Sequence, residues 1–329
     1  MKVWITETYG DDAKFKVMSS TRISPKENEL EVEVKATSLN PVDNKLLRNA
    51  TAWNPALPGV LHCDVSGVVT AIGEGDTEFS VGDKVYGCAG GIGKLKGALS
   101  EYMIVDKNLM APMPKNLSFI EAAAMPLVTI TAWEALKTRI QMKDGASVLI
   151  HGGAGGVGHI AIQLAKAFGG NVSTTVSSEE KAKVASDMGA DNVIYYRDEN
   201  VESYVSRLTN GDGFDAVFDT IGGGSLDNSL TAAKTGGQVA GIIGSNTHDL
   251  SPMHMKSLSL HIIMMLLPMY TGINRQSHGN ILREATKLIE ANKLKPHLDN
   301  NRFTFDQANE AHAYYESGKA IGKISLERR

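Results

Sequence analysis

The residues most plainly able to do chemistry lie at His151-Gly152-Gly153-Ala154-Gly155-Gly156-Val157-Gly158, where Gly153, Gly155 and Gly158 take the spacing G-x-G-x-x-G. The apolar run Val148-Leu149-Ile150 precedes them, and a helix-forming stretch over 159–168 follows. Between a strand and a helix the three glycines have separate tasks. One makes a tight turn, one lets the backbone approach a pyrophosphate, and one lets the helix pack closely on the sheet. The helix start then offers unpaired N–H groups and a partial positive charge to phosphate oxygens. A glycine-rich turn that only links strand to helix is the plainer alternative. The further βα units downstream favour a dinucleotide cradle.

The kind of dinucleotide should be written about 20 residues on, where NAD-binding versions carry an acidic residue for the ribose 2′-hydroxyl. That strand end reads Thr175-Val176-Ser177-Ser178-Glu179-Glu180-Lys181, and the acidic position falls on Ser177. Serine tolerates a 2′-phosphate that a carboxylate would repel, and Lys181 stands one turn into the next helix. Tyr196 and Arg197, after the following strand, are further candidates. These residues point to NADP, as NADPH. Ser177 and Glu180 also fit a capping box with Lys181 solvated, and both arrangements can hold together.

Two domains are expected to position this loop, because one core seldom outgrows about 250–300 residues and the chain has 329. The first third reads as β. Residues 30–36 alternate with period two, and 67–73, 81–87, 101–105 and 109–111 add short strands with glycine-rich turns. That texture indicates a compact β-barrel-like domain. Ser118-Phe119-Ile120-Glu121 offers a capping-box pattern ahead of an alanine-rich helix. From Ser147 onward, apolar strands at 148–150, 172–176, 193–195, 216–218 and 238–242 alternate with helices, which implies a parallel, doubly wound sheet. Past about Leu260 the alternation ends. Helices over 280–292 and 305–317 and a strand over 322–326 are read as returning to complete the first domain.

Composition closes off other classes. A net charge of −4 gives no electrostatic reason for a nucleic-acid partner. The only cysteines, Cys63 and Cys88, argue against a disulfide framework and suit a reducing compartment. The apolar run 262–267 is far shorter than the ~20 residues that span a bilayer, and the first residues read as a strand. No membrane association and a cytoplasmic location are expected.

Together these segments resemble the medium-chain dehydrogenase/reductase superfamily, in its zinc-free quinone oxidoreductase (zeta-crystallin-like) branch. The resemblance covers nearly the whole chain. It rests on Asn40-Pro41-Val42-Asp43, on Pro58-Gly59 followed by Asp64-Val65-Ser66-Gly67-Val68-Val69, and on Val81-Gly82-Asp83-Lys84-Val85. Thr131-Ala132-Trp133-Glu134-Ala135-Leu136, the glycine loop and Ala320-Ile321-Gly322-Lys323-Ile324 complete it. It implies an α/β fold with a GroES-like β-barrel domain over 1–124, completed by 264–329, and a Rossmann NADP-binding domain over 125–263. It also implies an active site in the cleft between them and a homodimer, formed through an edge strand of the Rossmann sheet.

The resemblance also assigns roles. Asn40 and Thr131 would lie near the nicotinamide, Gly156 and Val157 would give backbone contacts to the diphosphate, and Ile221 and Gly241 would line the cofactor. Asn40 would donate a hydrogen bond to a developing oxyanion, or serve only as the turn residue before Pro41. Asp43 would position substrate or water, although a helix cap is the stronger reading. Zinc-dependent relatives place a cysteine where this chain has Asn40 and a histidine where it has Cys63, with His62 at the preceding glycine. Neighbours in an extended segment point to opposite faces, and zinc needs three or four ligands in tetrahedral reach. No metal is therefore expected.

The expected activity is hydride transfer from NADPH to a small quinone, placed near the nicotinamide by binding alone. Reduction of the double bond of an enone or 2-alkenal is the enzymatic alternative. A cofactor-binding structural or RNA-binding role, as in crystallin-like members, is the non-enzymatic one.

Overall fold

The computed structural model describes residues 1–329, which divide into two compact units. The first contains Met1–Ile130, Leu266–Asn292 and Pro296–Arg329; the second contains Thr131–Met265 and Lys293–Lys295. The first break falls inside the helix Pro126–Trp133, past the expected limit at 124/125.

The first unit is built on a seven-stranded sheet. Its central strand, Glu29–Leu39, pairs antiparallel with Asp64–Ile72 on one side and with Ile324–Glu327 on the other, and also with Tyr102–Asp106. The end of the chain thus returns to the N-terminal sheet. Period-two alternation buries Leu30, Val32, Val34 and Ala36 completely. The intervening acids are matched: Glu31 accepts from Arg22 and from the Thr70 hydroxyl, and Glu33 pairs with Lys35 and Arg328.

The second unit holds a six-stranded sheet in the order Asn192–Tyr195, Asn171–Val176, Ser147–His151, Phe214–Asp219, Ala233–Gly241, Ser259–Ile262, parallel throughout. This is the doubly wound architecture that the alternation indicates. The edge strand Ser259–Ile262 is an addition to the sequence reading, which ended the alternation near Leu260. Its Ser-Leu-His-Ile segment is only partly buried and carries little strand signal.

On one face Leu149, Val217 and Val239 pack with Tyr204, Phe214, Leu226 and Leu230 into a core. Each such side chain contributes about 1.5–3 kcal/mol by leaving water. The helix Val201–Thr209 supplies Tyr204. It starts where the Asn200 side chain accepts from the Ser203 N–H at 2.9 Å, and it stops where Asn210 turns left-handed at φ 52°. No helix in the structure is long and apolar enough to cross a membrane.

Candidate functional site

The strand Ser147–His151 lies between Asn171–Val176, which follows it in the chain, and Phe214–Asp219, which comes two strands later. The strand order therefore reverses beside it. In open parallel sheets such a reversal leaves a crevice outside the carboxyl ends of the strands, where ligands bind. The glycine loop opens there. The helix Gly156–Ala167 starts behind Gly155, and its first turn is closed by the bond from the His159 N–H to the Gly155 carbonyl. Helical geometry leaves the N–H groups of Gly156, Val157 and Gly158 without acceptors inside the helix. They form a ready anion cradle.

The division of labour among the glycines differs slightly from the motif. The left-handed turn is made by Gly152, at φ 76°, one residue before the G-x-G-x-x-G begins. A Cβ on Gly158 would sit 2.1 Å from the Gly152 carbonyl oxygen, and one on Gly153 would sit 2.3 Å from the Thr174 hydroxyl. Those two glycines permit close packing. Around Gly155 the nearest foreign atom is 3.2 Å away, so this is the most open of the three.

At the end of the second strand, Lys181 Nζ donates to Ser177 Oγ at 3.3 Å. The cap of the helix Glu179–Asp187 is Ser178, whose hydroxyl accepts from the Lys181 N–H. The capping box expected between Ser177 and Glu180 does not form: the cap is Ser178, one residue on, with Lys181 at the third helical position, and Ser177 is left outside the helix. Tyr196 is 52% exposed, with the Arg197 guanidinium 5.7 Å from its ring centre. Ile221 is also exposed, and its side chain lies against the space a Gly152 Cβ would fill. Its loop is held by Asp219, whose carboxylate accepts from the Ile221 and Gly222 N–H groups and from Ser225 Oγ. Gly241 ends the fifth strand. Thr131 is buried in the helix Pro126–Trp133 and belongs to this second unit.

In the first unit the structure brings Asn40 and Asp43 together with two residues whose roles the sequence did not reveal, Asp64 and Lys323. All four are buried. The Asn40 Nδ2 donates to Asp64 Oδ2 at 2.8 Å, and its Oδ1 accepts from Lys323 Nζ. Asp64 also accepts from Ser38 Oγ and from the Leu127 N–H, with the Lys323 ammonium 3.7 Å away. Burial pushes the Asp64 carboxyl up and the Lys323 amine down, and each partly restores the charge of the other. Asp43 accepts from the Asn40 N–H at 2.8 Å and from the Cys63 N–H at 3.0 Å. It ties down the start of the helix Pro41–Arg48, and burial pushes its carboxyl up to about 6. The only sequence signal for Asp64 and Lys323 was their presence in the superfamily-like segments. Lys323 reaches Leu39, Asn40 and Asp64 from the far end of the chain.

A zinc ion does not fit the donors present. No group of three or more His, Cys, Asp or Glu side chains is placed to hold a metal ion. His62 Nε2 is engaged with His312 Nε2 at 3.0 Å. The neighbouring Cys88 and burial hold the Cys63 thiol well above its usual range, and burial pushes Cys88 up to about 11.

Family models match two stretches: an alcohol dehydrogenase GroES-like domain over residues 26–115 and a zinc-binding dehydrogenase over 188–326. The chain is 35% identical to a 2-methylene-furan-3-one reductase of Solanum lycopersicum over 99% of this chain and 79% of that protein. It is 33% identical to a chloroplastic NADPH-dependent alkenal/one oxidoreductase of Arabidopsis thaliana, over 98% and 78%. The solved Escherichia coli quinone oxidoreductase complexed with NADPH superposes with a TM-score of 0.86 at 26% identity, over 99% of this chain and 100% of that one.

Proposed function

The chain belongs to the medium-chain dehydrogenase/reductase family, in its quinone oxidoreductase-like part, and from that premise we propose that it is an NADPH-dependent reductase of small conjugated carbonyl compounds, with enones and 2-alkenals as the first class of acceptor. It is an oxidoreductase. The observation that carries the cofactor reading is the Ser177–Lys181 contact beside the glycine loop. A cation and a hydroxyl side by side at this strand end suit a ribose 2′-phosphate and support the reading. Arg197 and Tyr196 flank the same strand end. The N–H groups of Gly156, Val157 and Gly158 hold the diphosphate, and Ile221 and Gly241 line the rest of the dinucleotide.

NADPH, when bound, supplies a hydride. The protein must hold the acceptor so that its electrophilic carbon faces that hydride, which is a task of proximity and orientation. In an enone the β-carbon receives the hydride and the carbonyl oxygen takes the negative charge. A proton from water then completes the saturated product. Thr131 is proposed at the nicotinamide, on the second unit. Asn40 and Asp43 are proposed to act through the buried network that fixes the start of the helix Pro41–Arg48.

The preference for enones rests on the two plant relatives, whose names specify a methylene-furanone and an alkenal/one. Quinones are the second reading, supported by the likeness to the E. coli quinone oxidoreductase. Steady-state kcat/KM at fixed NADPH for one enone, one small quinone and one saturated ketone tests both. Faster turnover of the enone supports the first reading, and faster turnover of the quinone replaces it with the second. A clear preference for the saturated ketone overturns both.

A further inference from the structure

His151 ends the strand Ser147–His151, beside the reversal of strand order. It is in register with Thr175 on one neighbouring strand and with Asp219 on the other. The left-handed Gly152 of the phosphate loop follows it directly. The side chain is only 5% exposed, yet its Nε2 has no hydrogen-bond partner. A buried imidazole nitrogen without a partner is costly, and such groups are characteristically completed by a water or a ligand.

The hydrogen count around the ring identifies what is missing. Thr175 Oγ1 accepts from the Gly152 N–H at 3.1 Å and lies 3.2 Å from His151 Nδ1. Nδ1 is the acceptor within reach of that hydroxyl proton, which points to it and makes that nitrogen an acceptor. The ring proton of the neutral imidazole then resides on Nε2. Burial pushes the imidazole down to about 4, against the opposing field of Asp219, so the ring is neutral at pH 7. The Asp219 carboxylate is already occupied by the Ile221 and Gly222 N–H groups and by Ser225. What remains is a neutral N–H donor, shielded from water, at the mouth of the phosphate loop.

We infer that His151 is a cofactor-binding residue whose Nε2–H donates a hydrogen bond to an oxygen of the bound dinucleotide, with Thr175 fixing the tautomer. The inference rests on the reading of the second unit as a dinucleotide site. It adds a side-chain donor to a cradle otherwise made of backbone. Thr175 becomes a positioning residue: its hydroxyl joins the Gly152 N–H of the loop to the ring that completes the site.

The test uses the full-length protein, labelled with 15N at histidine, and NADPH as the probe. Titration should shift the His151 Nε2 resonance and slow exchange of its proton, while Nδ1 keeps the signature of an acceptor. In parallel, H151F should bind NADPH on the order of tenfold more weakly. H151Q, whose amide N–H reaches the place of Nε2, should recover much of the loss. Saturation of the wild-type protein by NADPH with no change at Nε2, or equal affinity of H151F and wild type, overturns the inference and leaves the proposed function standing. No binding of NADPH by the wild-type protein overturns the proposed function and the inference with it.

Discussion

His312 sits in the helix Ala308–Glu316 with its Nδ1 2.9 Å from Asn44 Oδ1 and its Nε2 3.0 Å from His62 Nε2. Burial, reinforced by Arg48 and opposed by Glu316, pushes it down from its ordinary 6.5 to about 3. The unfolded chain therefore takes up a proton below pH 6.5 that the folded protein refuses until about pH 3. The sign follows: this group's contribution to stability is complete above the unfolded value and is lost as pH falls. Between about pH 7 and pH 5 the unfolded imidazole goes from mostly neutral to almost fully protonated, worth about 2 kcal/mol. His312→Gln keeps a polar group of similar reach but cannot titrate. Urea unfolding at pH 7, 6 and 5 should show the wild type's advantage over the variant shrinking by about 2 kcal/mol across that range. A stability difference that stays constant with pH would refute the claim that His312 is held neutral in the fold. The buried His62 is also pushed well below its ordinary value, chiefly by its own burial, and it remains in both proteins.

Three further outcomes follow from the same geometry. Lys181→Ala should weaken NADPH about ten- to a hundredfold, the worth of a charge-assisted hydrogen bond, while leaving NADH nearly unchanged; equal losses for both nucleotides by fluorescence titration would remove Lys181 from the 2′-phosphate. Lys323→Met should cost about 3–5 kcal/mol in urea, because it leaves the buried Asp64 beside Asn40 without its cation, and adding Asp64→Asn should recover part of that loss. Elemental analysis of the purified protein should find no stoichiometric zinc, and chelators should spare turnover; one tightly held zinc per chain would contradict the donor geometry around Cys63.

What the sequence made legible was periodic or local. Alternation over 30–36, the βα rhythm from Ser147 and the spaced glycines each depend on neighbours in the chain. So do the turn and helix start that they specify. The hidden parts depend on residues that meet only after folding. Lys323 read as one letter of a strand segment until its ammonium was found against Asn40, 283 residues away. His151 stands in the sequence as the residue that opens the glycine loop, and nothing in a linear pattern shows that Thr175 claims one ring nitrogen and leaves the other bare. Ser178 displaced Ser177 as the helix cap because two adjacent serines offer equivalent caps, and backbone geometry chose between them.

The buried network of the first unit bears on the proposed acceptor. Asn40 was the natural candidate to stabilise a developing oxyanion, yet its oxygen is taken by Lys323 and one of its amide hydrogens by Asp64. Its side chain is fully buried. Asp43 is likewise committed to the Asn40 and Cys63 N–H groups. The polar groups that might have met a localised alkoxide instead satisfy each other. A saturated ketone gathers a full charge on one oxygen as hydride arrives, and it would need strong donors at that point. A conjugated acceptor spreads the same charge over several atoms and reaches its transition state with less help. The proposed acceptors, enones and quinones, are thus the ones that ask least of groups already committed to one another. The acceptor comparison, repeated on Asn40→Ala, tests whether that network meets the acceptor at all: an unchanged order of preference would remove it from the proposed reaction.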